Sequence, residues 1–165
     1  SDDPGLITQE VVDVLERGLM DENPYVFSIA TRIWKEIYSH SLPVPDQTVE
    51  ILMILLTDQS DVLARRAAAL ALFYASLYDQ ELAPVVRERL GELATTQEPI
   101  SKIWVIMTLD MIDIVDSART AIDEPSQYES VAQRLKLLNE SQYLADDYKW
   151  AAGQALGWLQ EQQVP

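Results

Sequence analysis

The sequence predicts an all-α fold: eight helices that stack as four successive hairpins. Three observations carry this. Apolar residues recur at helical spacing, as in Ile29, Ile33, Trp34 and Ile37, and no block alternates as a strand would. The 5 Gly and 8 Pro fall with other turn formers between the apolar stretches. Every second helix carries a related pattern that returns at a spacing of about forty residues, the period expected of stacked helical repeats.

The helices are expected at 6–20, 24–39, 46–57, 61–78, 81–94, 99–117, 126–138 and 143–161. The first stops at Asp21 to Asn23. The second opens on Pro24, where a missing N–H costs little, and ends at Ser39 to Pro45. Asp46 suits the N-cap of the third, which stops at Asp58 to Ser60. The fourth is rich in Ala and stops at Tyr78 to Gln80. The fifth carries Pro84 near its start and stops at Thr95 to Glu98. The sixth opens on Pro99 and stops at Ala118 to Pro125, leaving Ser117 to Gln127 as the longest loop. Ser126 suits the N-cap of the seventh, which stops at Asn139 to Gln142. The eighth has Asp146 and Asp147 just inside its start, where the helix dipole favours anions.

Self-comparison supports the pairing. Ala64-Arg65-Arg66-Ala67-Ala68-Ala69-Leu70-Ala71-Leu72 aligns without gaps on Tyr148-Lys149-Trp150-Ala151-Ala152-Gly153-Gln154-Ala155-Leu156. Small residues coincide at Ala67 and Ala151, Ala68 and Ala152, Ala71 and Ala155. Basic residues coincide at Arg65 and Lys149. The second helix fits with Val26, Ala30 and Trp34 in the apolar, small and large places, and the sixth with Ser101, Lys102 and Val105. The first places, 26, 64, 101 and 148, are 38, 37 and 47 residues apart. A two-helix unit cannot bury its apolar face alone and must stack on the next. The repeats are then 6–39, 46–78, 81–117 and 126–161 of a single domain, 1–165.

In these features the chain resembles the HEAT-repeat (armadillo-type) family, in its short bacterial form. That family's second helix reads apolar-basic-x-x-Ala-x-x-Ala-Leu-Gly after a turn rich in Asp and Pro. Ala64 to Leu72 and Tyr148 to Gly157 carry the likeness best, and Leu19-Met20-Asp21-Glu22-Asn23-Pro24-Tyr25-Val26 matches the turn. The sixth helix departs most, with Trp104 and an Ile-Met cluster in place of small residues. The resemblance implies a right-handed α-α superhelix, with first helices on the convex side and second helices lining the concave side. It also implies that the basic residue often pairs with a turn Asp. Asp21 and Asp58 are present, but Thr95 and Thr96 occupy the third turn.

Read in that arrangement, the concave face carries Phe27, Arg32 and Glu36 from the first repeat and Arg66, Leu70, Phe73 and Tyr74 from the second. The third supplies Ile103, Ile106, Met107 and Met111, and the fourth Trp150 and Trp158. Aromatic, Met and Arg side chains are enriched at protein interfaces, so the set points to a groove for another protein or peptide. The same side chains also suit a core, where large apolar residues most often lie.

The 165 residues carry 27 acidic and 12 basic side chains, a net charge of -15. That argues against binding nucleic acid, which needs a basic face, and against docking on anionic membranes. No apolar run approaches the ~18 residues of a membrane span. With no Cys and one His, His40, thiolate chemistry and multi-histidine metal sites are excluded. Asp110, Asp113 and Asp116 form an acidic stripe on the sixth helix, better read as solvated than as a metal site. No metal and no cofactor is expected. The di-iron hydroxylases of the HEAT family need repeated His-Glu pairs, absent here, and its DNA glycosylases need a basic face.

The expectation is a cytoplasmic, non-catalytic protein–protein interaction module. Inhibitors, immunity proteins and chaperones of basic partners fit its charge, which serves solubility equally well. Self-association into a homodimer through the same face is a further reading. The alternative is an enzyme or enzyme subunit of the bilin-lyase-like class, holding a tetrapyrrole against Trp and Tyr. The acidic residues fall largely in turns, on first helices and in the expected loop, around a less acidic, apolar groove.

Overall fold

The computed structural model describes residues 9–19, 21–40, 42, 48–57, 62–96 and 98–163. Among them are eight α-helices and no strand: α1 (Gln9–Leu19), α2 (Pro24–Ser39), α3 (Thr48–Leu56), α4 (Val62–Tyr78), α5 (Leu82–Thr96), α6 (Pro99–Asp123), α7 (Tyr128–Glu140) and α8 (Asp146–Glu161). The expected cap at Asp46 and break at Asp58 to Ser60 lie outside the described residues.

Local chemistry explains the boundaries. Asn23 caps α2, its side chain accepting from the Tyr25 N–H at 2.9 Å, and the Asp21 side chain accepts from the Asn23 N–H at 2.8 Å. Asp79 Oδ1 accepts from the N–H groups of Glu81 and Leu82, each at 3.1 Å, and so starts α5. At its other end, the Thr95 and Thr96 hydroxyls donate to the Glu92 carbonyl.

Two expectations are corrected at the end of α6. The helix continues through Ser117 to Asp123, so the long loop expected over Ser117 to Gln127 is mostly helix. Ser117 and Thr120 donate their hydroxyls to the Asp113 and Asp116 carbonyls one turn back, at 3.1 and 3.0 Å. Satisfied in this way, they do not compete with the helix. The stop comes at Glu124, where the following Pro125 disfavours helical backbone. Ser126 is not the N-cap of α7. It sits in a 3-10 turn, Pro125–Gln127, and Gln127 occupies the cap without a side-chain bond.

The chain divides into two compact units, Ser1–Thr108 and Leu109–Pro165. In the first, α1 packs on α2, α3 on α4, and α4 also on α2 and α5. The core is built from Trp34, Leu52, Met53, Leu56, Leu72, Phe73, Leu77 and Leu90. Helix α4 is central, and every residue from Ala67 to Leu77 is buried. Gly18 of α1 lets α2 approach closely, since a Cβ there would stand 3.0 Å from the Ala30 Cβ. In the second unit, α7 and α8 form a hairpin around Val131, Leu135, Ala151, Ala155 and Leu159. Asn139 donates its amide to the Lys149 carbonyl at 2.8 Å, and Gly153 leaves room for it, because a Cβ would fall 2.6 Å from that nitrogen.

The fifth column of the sequence alignment is buried in all four helices: Ala30, Ala68, Val105 and Ala152. Helices two apart along the chain also touch at a constant sequence separation. In the first unit, Arg89 of α5 donates from Nε and Nη2 to Glu50 of α3 at 2.9 and 3.3 Å, 39 residues away, and a third bond joins it to Glu92. Those hydrogen bonds, to Glu50 first and then Glu92, raise the affinity of Arg89 for its proton. Arg65 of α4 lies over the Trp104 ring of α6, also 39 residues on. In the second unit, Tyr148 of α8 bonds Asp110 of α6 across 38 residues. Arg119 of α6 lies over the Trp158 ring of α8, a separation of 39. The 47-residue step that the sequence alignment places between the third and fourth repeats is therefore not the distance at which α6 and α8 meet.

The Tyr38 hydroxyl is buried with no hydrogen-bond partner among the described residues. Burial, and secondarily the charge of Asp79, push its phenol well above the ordinary value of 10.0. The folded chain thus holds this proton more tightly than the unfolded chain. The resulting stability is fully present below pH 10 and is lost as the pH rises above it, by up to about 1.4 kcal/mol per pH unit. Denaturant unfolding on both sides of pH 10 should show this decline, and Tyr38→Phe should flatten it without loss of stability at neutral pH, since no hydrogen bond is given up. An unchanged alkaline slope in Tyr38→Phe contradicts the assignment.

Candidate interaction surface

The side chains expected on the concave face divide sharply. Leu70, Phe73 and Tyr74 of α4, Met111 of α6 and Trp158 of α8 are buried, so these five are corrected from surface to core. The cause for α4 is its central place in the first unit, which encloses the helix on every side from Ala67 to Leu77. Tyr74 shows the same burial chemically, its phenol pushed far up by desolvation and next by Tyr78. Arg32, Arg66 and Ile103 are exposed, and Met107 and Trp150 are half-buried. The side chain of Phe27 lies outside the described ones.

The exposed apolar members of the set both lie on the first half of α6. Ile103 is 66% exposed and Ile106 45%, with Met107 beside them one turn along from Ile103. These residues flank Trp104, whose ring carries the Arg65 guanidinium at 5.7 Å from its centroid. Nε and Nη1 of Arg65 are buried without hydrogen-bond partners among the described residues. The cation is held by the ring face, a contact that strengthens with desolvation. Trp104 stands where Ala67 and Ala151 stand in their own helices, so the departure of α6 from the repeat pattern is what Arg65 packs against. Arg66, next to this contact, points a second cation to solvent.

The second unit holds a feature that the sequence reading missed. Asp110 and Ile114 of α6, Leu138 of α7, Leu144 of the connection and Tyr148 of α8 line a cleft of about 220 Å³. The Tyr148 hydroxyl donates to Asp110 Oδ2 at 3.1 Å. Burial first, then the charge and hydrogen bond of Asp110 and the charge of Asp147, push the Tyr148 phenol up to about 12. The signal available in the sequence was the run of apolar residues at the α7–α8 connection, which reads as an ordinary break.

His40 and the acidic stripe of α6 lie at the surface. His40 is the C-cap of α2, and its Nε2 meets Glu36 Oε2 at 3.0 Å with both side chains exposed. Asp110, Asp113 and Asp116 are all exposed, and no group of His, Asp and Glu side chains poised to hold a metal occurs among the described residues. No described helix is long and apolar enough to cross a membrane.

These features define an all-α protein with exposed apolar side chains on the first half of α6. No protein-family model matches the chain, and neither a curated protein nor a solved structure does.

Proposed function

We propose that the chain is a short HEAT-like solenoid acting as a non-catalytic protein–protein interaction module. The observation that carries the architectural part is the constant separation of 38 or 39 residues between touching side chains of successive hairpins, in both units and on both first and second helices. Stacked repeats meet through equivalent positions, so their contacts recur at the repeat length. The buried positions Ala30, Ala68 and Val105, 38 and 37 residues apart, support the same period.

The functional part rests on Ile103 and Ile106, with Met107 and Arg66 nearby in the same unit. Large β-branched side chains left in water on one face of a helix suit a partner surface, and Arg and Met are enriched in such surfaces. The net charge of -15 favours encounter with a basic partner. Affinity capture from extract of the source cells, with Ile103→Asp as control bait, tests this. One protein retained by the natural chain and lost with Ile103→Asp is expected. Retention equal on both baits, or nothing above a charge-matched control, would refute the reading.

A further inference from the structure

The cleft of the second unit has a composition that selects its occupant. Four of its five lining residues, Ile114, Leu138, Leu144 and Tyr148, present mainly apolar surface, and the fifth is the exposed carboxylate Asp110. Its volume of about 220 Å³ is below the ~300–1,000 Å³ of sites for drug-sized molecules, and matches one large side chain better than a cofactor. Asp110 accepts one bond from Tyr148 through Oδ2, and a carboxylate has capacity for several more.

The surroundings add two further observations. Leu137, Tyr143 and Leu144 are all exposed, Tyr143 at 96%, so apolar surface continues through the stretch that supplies the lining residues Leu138 and Leu144. The charge around them is strongly negative: residues 109–165 contain ten acidic side chains against four basic. Asp110 lines the cleft itself, and Asp147 immediately precedes the lining residue Tyr148. An apolar cleft in such a field would attract a basic segment and repel an acidic one.

We infer that this cleft receives a single large apolar side chain of a partner protein, flanked by Lys or Arg that pair with Asp110. The inference rests on the reading of the chain as an interaction module, and gives that module a second contact point with its own chemistry. The apolar anchor fills the space between Ile114, Leu138, Leu144 and Tyr148. The neighbouring cation takes the free oxygen of Asp110, a charge-assisted bond that fixes orientation.

The test is a fluorescence-anisotropy titration of the full chain with a short labelled peptide carrying one Phe between Arg residues. Saturable binding is expected, at least tenfold weaker for a peptide with Ala in place of Phe, and at least tenfold weaker again for one with Glu in place of Arg. Leu144→Asp lies in the connection, where it leaves the helices intact, and should weaken binding at least tenfold. Asp110→Lys should do the same, and circular dichroism would verify that both variants fold. Equal affinity of the Phe and Ala peptides, no effect of Leu144→Asp, or no saturable binding would each overturn the inference. Ile103→Asp should leave the peptide titration unchanged. Failure here and failure of the α6 surface are thus read from different variants.

Discussion

Replacing Trp34 by Ala should lower the free energy of unfolding by about 3–5 kcal/mol, the usual cost of removing a large buried aromatic side chain. Trp34 is fully buried in α2, and its ring stacks on Tyr38 with centroids 5.6 Å apart and planes 19° from parallel. Its Nε1 makes no hydrogen bond among the described residues, so the loss is of packing and stacking alone. The same residue occupies the large place of the first repeat and lies in the core where α2 meets α4. A loss of this size is a large share of the ~5–15 kcal/mol that holds a domain folded. Thermal and denaturant unfolding should both show it, with a thermal midpoint lower by roughly 6–20 °C. Trp34→Phe should recover part of the stability. A change in Trp34→Ala below about 1 kcal/mol, the range of ordinary substitutions, would mean that the α2 core is not packed as described.

The second large effect is expected from enlarging the buried small column. Ala68→Leu in α4 and Ala152→Leu in α8 should each cost about 1–3 kcal/mol, because both sites are completely enclosed and extra methylenes force neighbouring helices apart. The substitution lowers helix propensity only slightly, so packing decides the size of the effect. Gln133→Leu on the exposed face of α7 is the control and should stay within about 0.5 kcal/mol of the natural chain. The comparison is informative because Ala68 and Ala152 belong to different units but to one column of the alignment. If Ala152→Leu were neutral while Ala68→Leu was costly, the equivalence of the two helices would fail.

Helix positions were legible in the sequence because turn chemistry is local. Asp21, Asn23 and Asp79 act through bonds to backbone two or three residues away, so α2 occupies its expected span and α5 begins within one residue of its expected start. The end of α6 was not legible, because Ser117 and Thr120 can either break a helix or bond back into it, and only their surroundings decide. The interaction surface was legible in part. Periodicity assigns a residue to a face but not to a depth. The alignment therefore put Ile103, Arg66 and Phe73 on one side without revealing that α4 is enclosed and the start of α6 is not. The cleft was illegible for another reason. Its lining comes from three helices and a connection, and no spacing within one segment encodes that meeting.

The most direct test of the account is calorimetric titration of the captured partner against three chains: the natural one, Ile103→Asp and Gln133→Asp. The account predicts one saturable site, weakened at least tenfold by Ile103→Asp and unchanged by Gln133→Asp, although both substitutions add the same charge to an exposed position. Equal weakening by the two would show that charge alone governs binding. No weakening by Ile103→Asp would show that the α6 strip is not the interface.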